Sequence, residues 1–342
     1  MAGPEHVPLR MIGRCGRREF LAMTPPAAQK IAQTTIKNPV RASGVGLHSG
    51  QQVNLRICPA GPDSGIVFKR TDLAAPRQLA IPATATHVVA TAMSTTLALG
   101  GACVGTVEHL MAAFAGFGID NALVEVDAPE LPIMDGSAAP FLFLLQSAGT
   151  KSQSVERRYL RVTRQLRYTE GDVSVQLEPY DGFRMAYTLM YDHPVFRSHT
   201  KSAVVDCPGL PCSTVAAGFE DVFEREISRA RTFGFVEDLE RLQAMNLARG
   251  GSLENAVVVD DSGILNADGL RSEDEFVKHK ILDALGDLYL LGFPLIGAFT
   301  GHKSGHRANN QLVRMLLSEP SAYELVSVSA PGSGGLVADS AA

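Results

Sequence analysis

Apolar residues fall on two rhythms along this chain. In the segment QQVNLRICPA, residues 51–60, they alternate with polar ones, the period of a half-buried strand. From Val107 to Ala115 the apolar Leu110, Met111 and Phe114 recur at helical spacing, and Gly116 is expected to end that helix. A longer helix is expected over Asp274–Leu291, where Ile281, Leu282, Leu285, Leu288 and Leu290 surround two acidic positions.

The remaining segments fill in between. NALVEVDAPELP reads as a strand, and Ser137 is placed to cap a helix through Phe141–Gln146. YLRVTRQLRYTEGDVSVQLEP reads as a hairpin turning at Glu170-Gly171-Asp172, and FRMAYTLMYD continues its sheet. Helices are expected over Ala216–Ile227, through VEDLERLQAMN and over Ala308–Leu317, with strands at NAVVVDD and FPLIGAFTG. Residues 150–158 are polar and follow Gly149, so they mark the boundary between a first α+β domain (29–150) and a second (158–325). Residues 1–28 and 330–342 are expected to be disordered extensions, the latter because it is built of Gly, Ser, Ala and Pro.

Composition narrows the function classes. With 342 residues, 45% of them apolar, the chain can bury a large core, and a net charge of −5 without a Lys/Arg block argues against nucleic-acid binding. Five Cys at uneven spacing, with no C-x-x-C, read as reduced thiols of a cytosolic protein. Residues 78–107 carry no formal charge, but the Thr, Ser and Gly spread through them suit strands and turns, so no stable membrane insertion is expected.

Two distant stretches hold candidate chemistry. His279, Asp283 and Asp287 are four residues apart, about one helical turn, so a helix stacks them on one face. Glu108-His109 sits at the start of the other helix. Two His and one carboxylate would leave a zinc ion a free position for water, with a neighbouring Glu to take that water's proton. The competing reading is a wet helix face and a hydrogen-bonded core His. Burial of carboxylates among the leucines favours a cation or donor as their partner. His306, in a loop after a strand, is suited to acid–base work, and His302 beside it reads as a bystander. Arg231-Thr232 offers a cation and a hydroxyl to an anionic intermediate. The glycine-rich loop around His48 lacks the G-K-[ST] ending of a phosphate cradle, and its glycines are read as permitting a turn.

At these residues the chain resembles a family. TVEHLMAAFAGFGIDNALVEVDAPELPIMDGSAAPF, SRARTFGF, LNADGLRSEDEFVKHKILDALGDLYLLG and GAFTGHKSGHRANN resemble the UDP-3-O-acyl-N-acetylglucosamine deacetylases, zinc amidases of lipid A biosynthesis in Gram-negative bacteria, over roughly residues 30–325. The resemblance implies an α+β fold of two similar domains, each a β-sheet packed against helices, with the active site between them. It implies His109, His279 and Asp283 as ligands of Zn2+ (Fe2+ suits the same set), Glu108 as general base, His306 as second acid–base group oriented by Asp287, and Thr232 as oxyanion donor. It further implies Lys280 near the diphosphate of the substrate, Phe233 beside the sugar, and an apolar passage for the acyl chain in an insert near 234–258, with Leu239, Ala248 and Leu253 as candidate lining; His48 is a further candidate for substrate binding. UDP-3-O-acyl-N-acetylglucosamine is the implied partner, handled by a cytoplasmic monomer. The competing readings are a structural zinc in a lipid- or nucleotide-binding protein, and another zinc amidase or peptidase on the same scaffold.

Overall fold

The computed structural model describes residues 30–209, 219–329 and 337–338. Its first half is built on a five-stranded sheet in the order Val40–Val45, Gln52–Pro59, Ala122–Val126, Ile66–Arg70, Ala80–Pro82. All neighbours are antiparallel except the pair Ile66–Arg70 and Ala122–Val126. Alternation in Gln52–Pro59 sends Val53, Leu55 and Ile57 into the core, where they join Leu110, Met111 and Phe114. The Thr-rich segment forms a small meander of Val88–Ala90, Thr96–Leu99 and Ala102–Val104.

The second half centres on the strand Leu295–His302. Its first two residues pair in parallel with Arg158–Val162, and the rest is flanked by Val173–Glu178, antiparallel, and Gly182–Thr188, parallel. The hairpin of Leu166–Glu170 and Val173–Glu178 turns where the sequence predicts. Another small sheet joins Phe233–Phe235, Val257–Asp260 and Gly263–Ile264, and with the short helix Leu239–Ala244 it forms the region of the predicted insert. The fold is therefore α+β, with sheets packed on helices.

Among the described residues four helices have ten residues or more: α1 (Glu108–Phe117), α2 (Ala139–Ala148), α3 (Glu275–Tyr289) and α4 (His306–Ser318). Every residue of α1 is buried, because it packs against α3, α2 and the segment Phe219–Ile227. Helices α1 and α3 approach closely at Gly286: a Cβ there would lie 2.0 Å from the carbonyl oxygen of Glu108. One apolar cluster runs through both halves, from Ile36 to Ala322.

Several expectations change. Helix α1 runs past Gly116 and ends at Gly118, which takes the left-handed conformation at φ 71°. Gly116 instead lies against the Phe223 ring, 2.2 Å from where its Cβ would be. Ser137 accepts from the Ala139 amide just outside α2. The polar stretch expected as a boundary is a strand, Thr150–Glu156, paired antiparallel with Ala32–Ile36. Residues 337–338, inside the predicted tail, pair with Tyr323–Ser327. The rest of that tail, the N-terminal extension and the start of the Ala216–Ile227 helix lie outside the described residues. Phe223–Ile227 is a π-helical turn following Phe219–Val222. Cys58, Cys103 and Cys207 are free thiols.

Gly286→Ala should force α1 and α3 apart and cost about 1–3 kcal/mol, the range for overpacking a filled core. Thermal unfolding checks this: a midpoint equal to that of the unmodified protein would show that the two backbones do not touch.

Candidate metal centre

The first turn of α1 presents Glu108 and His109, and the middle of α3 presents His279, Asp283 and Asp287 one turn apart. The close approach at Gly286 brings these sets face to face. Nε2 of His109 lies 3.5 Å and Nε2 of His279 3.3 Å from Oδ1 of Asp283, long for hydrogen bonds, and the three candidate ligand atoms all lie within 4.8 Å of one another. All three residues are buried, and Oδ1 of Asp283 has no hydrogen-bond partner among the described residues. A buried carboxylate oxygen without a donor is costly. Donors around a tetrahedral ion, at the ~2.0–2.1 Å usual for zinc–nitrogen, sit roughly 3.3 Å apart. The donor set therefore fits a divalent cation.

Electrostatics agree with that fit. The Ala230 carbonyl accepts from Nδ1 of His279 at 3.0 Å, which leaves the Nε2 lone pair facing the cluster. Burial pushes the His279 imidazole down to about 4, so it is neutral and able to ligate. Burial works against ionisation of Asp283, but the charges around it, the Lys280 ammonium among them, outweigh burial and hold the carboxyl well below its usual range. Lys280 contacts the other oxygen, Oδ2, at 2.7 Å. Burial also opposes the Lys280 ammonium, yet the Asp283 carboxylate holds it above its ordinary value.

A second group of polar side chains flanks the cluster. Nδ1 of His306 lies 2.9 Å from Oδ2 of Asp287, and its Nε2 is 3.9 Å from Oε1 of Glu108. Burial would lower the His306 pKa, but Asp287 and Glu108 overcome it and push it up to about 9. Burial pushes the Glu108 carboxyl up, with His306 and His109 pulling the other way. Thr95 ties the two acids together: its amide donates to Glu108 at 2.9 Å and its hydroxyl to Asp287 at 2.6 Å. The Asn309 amide also donates to Asp287, at 2.9 Å.

A polar cavity opens from this centre and an apolar one adjoins it. The polar one, about 270 Å3, is lined by Glu108, His109, His279, Lys280, Asp283 and His306 and also by Thr232, Phe233 and Tyr191. The other, about 380 Å3, is lined mainly by apolar residues of the insert, among them Leu239, Leu242, Ala248 and Leu253, with His48 from the first half. Leu47, Met93, Thr232 and Phe233 line both.

Two predicted features differ. His306 opens α4 rather than lying in a loop, which packs its ring against α3. Arg231 is buried against Glu275 at 2.8 Å and lines neither cavity, so its charge is committed to that pair. His302 also lines neither cavity. Sequence reasoning missed Thr95, Asn309 and Tyr191. Asn309 follows His306 by about one helical turn, a signal that was there to use. Thr95 lies in an aperiodic Thr-rich run and offered none.

Comparisons with known proteins bear on this site. Residues 33–318 match the family described as UDP-3-O-acyl N-acetylglycosamine deacetylase. A protein of Pseudomonas entomophila (strain L48) named UDP-3-O-acyl-N-acetylglucosamine deacetylase is 54% identical over 296 residues, covering 86% of this chain and 93% of its own length. One of Hahella chejuensis (strain KCTC 2396) with the same name is 52% identical over 296 residues, covering 86% and 94%. No helix among the described residues is long and apolar enough to cross a membrane.

Adding Zn2+ to metal-free protein should raise its unfolding midpoint, with a gain of about 2.7 kcal/mol at a free concentration 100 times the Kd. His279→Ala and Asp283→Ala should abolish the rise. Equal shifts in both variants would exclude this cluster as the ligand set.

Proposed function

This chain belongs to the UDP-3-O-acyl N-acetylglycosamine deacetylase family, and from that premise we infer that it hydrolyses the N-acetyl amide of UDP-3-O-acyl-N-acetylglucosamine. The products are acetate and the 2-amino sugar nucleotide, an early step of lipid A biosynthesis. The observation that carries this reading is the convergence of His109, His279 and Asp283 beside a buried carboxylate and a buried imidazole. Zinc as the resident cation, action as a monomer and a cytoplasmic location belong to the same proposal.

A cation held by His109, His279 and Asp283 would supply Lewis acidity, polarising the amide carbonyl and making water acidic enough to be deprotonated near neutral pH. Glu108, whose carboxylate is made more basic by burial, takes the proton as the water oxygen attacks the carbonyl carbon. The Thr232 hydroxyl, in the wall of the polar cavity, donates to the carbonyl oxygen as its negative charge grows. His306 is the protonated group of the site and Asp287 keeps it so. We assign it the proton that reaches the leaving amine when the C–N bond breaks. Lys280 stays cationic and faces the anionic diphosphate. Phe233 packs beside the sugar, and Leu239, with the rest of the apolar cavity, takes the acyl chain.

Glu108→Ala should retain bound metal and lose about 10²–10⁴-fold in kcat. Metal content and steady-state kinetics together test this, and unimpaired turnover would remove the base assignment. Asp287→Asn should shift the alkaline limb of the kcat/KM profile to lower pH. The reason is that a carboxylate which raises the His306 pKa extends the protonated form upward, and neutralising it withdraws that extension. An alkaline limb at the same pH in both enzymes would mean that His306 does not act as the acid.

A further inference from the structure

Among the described residues that line the apolar cavity, one buried side-chain polar atom has no hydrogen-bond partner. Of its lining side chains, Ser252 accepts from the Glu254 amide, and Thr232 belongs equally to the polar cavity. His48 is different: its Nε2 is buried and has no hydrogen-bond partner among the described residues. The backbone amide of Ala248 donates to the other ring nitrogen, Nδ1, at 3.4 Å. A nitrogen that accepts carries a lone pair, so in the neutral ring the proton sits on Nε2. Burial lowers the His48 pKa, with Glu130 working in the opposite direction, which keeps the ring neutral. His48 therefore offers the cavity a fixed N–H donor.

The backbone that carries the ring is held on both sides. Glu130 accepts from the amides of His48 and Ser49, both at 2.9 Å, and from the Thr106 hydroxyl. The insert clamps the other side, where the amides of Arg249 and Gly250 donate to the carbonyls of His48 and Leu47. A Cβ on Gly250 would fall 2.3 Å from the Gly46 carbonyl oxygen, so the two loops lie in direct backbone contact. A buried donor without an acceptor costs about as much as stripping it of water, on the order of 1–3 kcal/mol. An alkyl chain has no acceptor to offer. The ester that joins such a chain to the sugar does, and it has to lie where the polar and apolar cavities meet. Leu47, the neighbour of His48, lines both.

We propose that the Nε2–H of His48 donates a hydrogen bond to the carbonyl oxygen of the 3-O-acyl ester, and that this contact makes the enzyme select ester-linked chains over ether-linked ones. The proposal rests on the deacetylase reading above and names a specificity-determining residue within it. It is tested with two substrates of equal chain length, the 3-O-acyl ester and a 3-O-alkyl ether that lacks only the carbonyl, both keeping the N-acetyl group that is cleaved. The unmodified zinc enzyme should prefer the ester by about 5- to 100-fold in kcat/KM, the range for leaving one buried partner unpaired. His48→Ala should bring that ratio close to one, chiefly by losing ester turnover. His48→Gln, which keeps an N–H donor, should restore part of it. The same preference should appear in the Kd of metal-free protein for the two ligands. An unchanged ratio in His48→Ala, or no preference in the unmodified enzyme, overturns the assignment alone. Absence of turnover of both substrates by the unmodified zinc enzyme overturns the deacetylase reading and the assignment with it.

Discussion

The contact between the Glu108 carbonyl and Gly286 governs the geometry of the centre. Residues 108 and 286 are far apart in sequence, and no covalent or metal link is needed to join them. Two buried helices are brought to backbone contact because one has no side chain at the crossing. Helices in cores usually sit 8–10 Å apart, with the value set by the side chains between them. Removing the side chain lets His109 of one helix and Asp283 of the other place donor atoms 3.5 Å apart without rotamer strain being invoked. A ligand set assembled this way is rigid, since both contributing helices are held by the same apolar cluster that fills the interior.

That rigidity explains how so many charged groups remain buried together. Glu108, Asp283 and Asp287 are almost inaccessible, as is His306. Each has been given a partner by backbone placement rather than by solvent. Thr95 serves Glu108 and Asp287 at once, Asn309 and His306 share Asp287, and Lys280 takes the outer oxygen of Asp283. Satisfied networks of this kind hold their geometry, whereas a half-satisfied one would be worse than an apolar core. Among the described residues Oδ1 of Asp283 has no hydrogen-bond partner, as is true of Nδ1 of His109 and Oδ1 of Asn309, and it is the atom toward which both histidine Nε2 atoms converge.

How much of this could be read from the chain alone follows from what each residue does locally. His279, Asp283 and Asp287 were legible because a helix converts a spacing of four into a common face. The facing of α1 and α3 was not, because Gly286 does its work across the interface and looks in sequence like any helical glycine. Gly116 misled for a related reason. It meets the Phe223 ring, while the left-handed turn that stops α1 is made by Gly118. The strand Thr150–Glu156 was hidden by its polarity: it pairs in a two-stranded ribbon and leaves much of its length exposed, so burial never imprinted an apolar alternation on it. Thr95 acts through one amide and one hydroxyl, and neither leaves a pattern among its neighbours.

Charge is the remaining constraint on what can occupy the centre. The centre gathers three buried carboxyl side chains (Glu108, Asp283, Asp287) with two cationic ones beside them (Lys280, His306), and a divalent ion adds more positive charge there than a monovalent one. Positive charge matters for a reaction at an amide carbonyl, because negative charge grows on the oxygen as the carbon is attacked. The apolar cavity next door then has the complementary task. It supplies binding surface without adding charge, so what enters it contributes affinity while the field at the carbonyl remains set by the polar centre. Splitting the interior into a charged half and an apolar half, joined at Leu47, Met93, Thr232 and Phe233, is how one fold accommodates a ligand that is itself anionic at one end and greasy at the other.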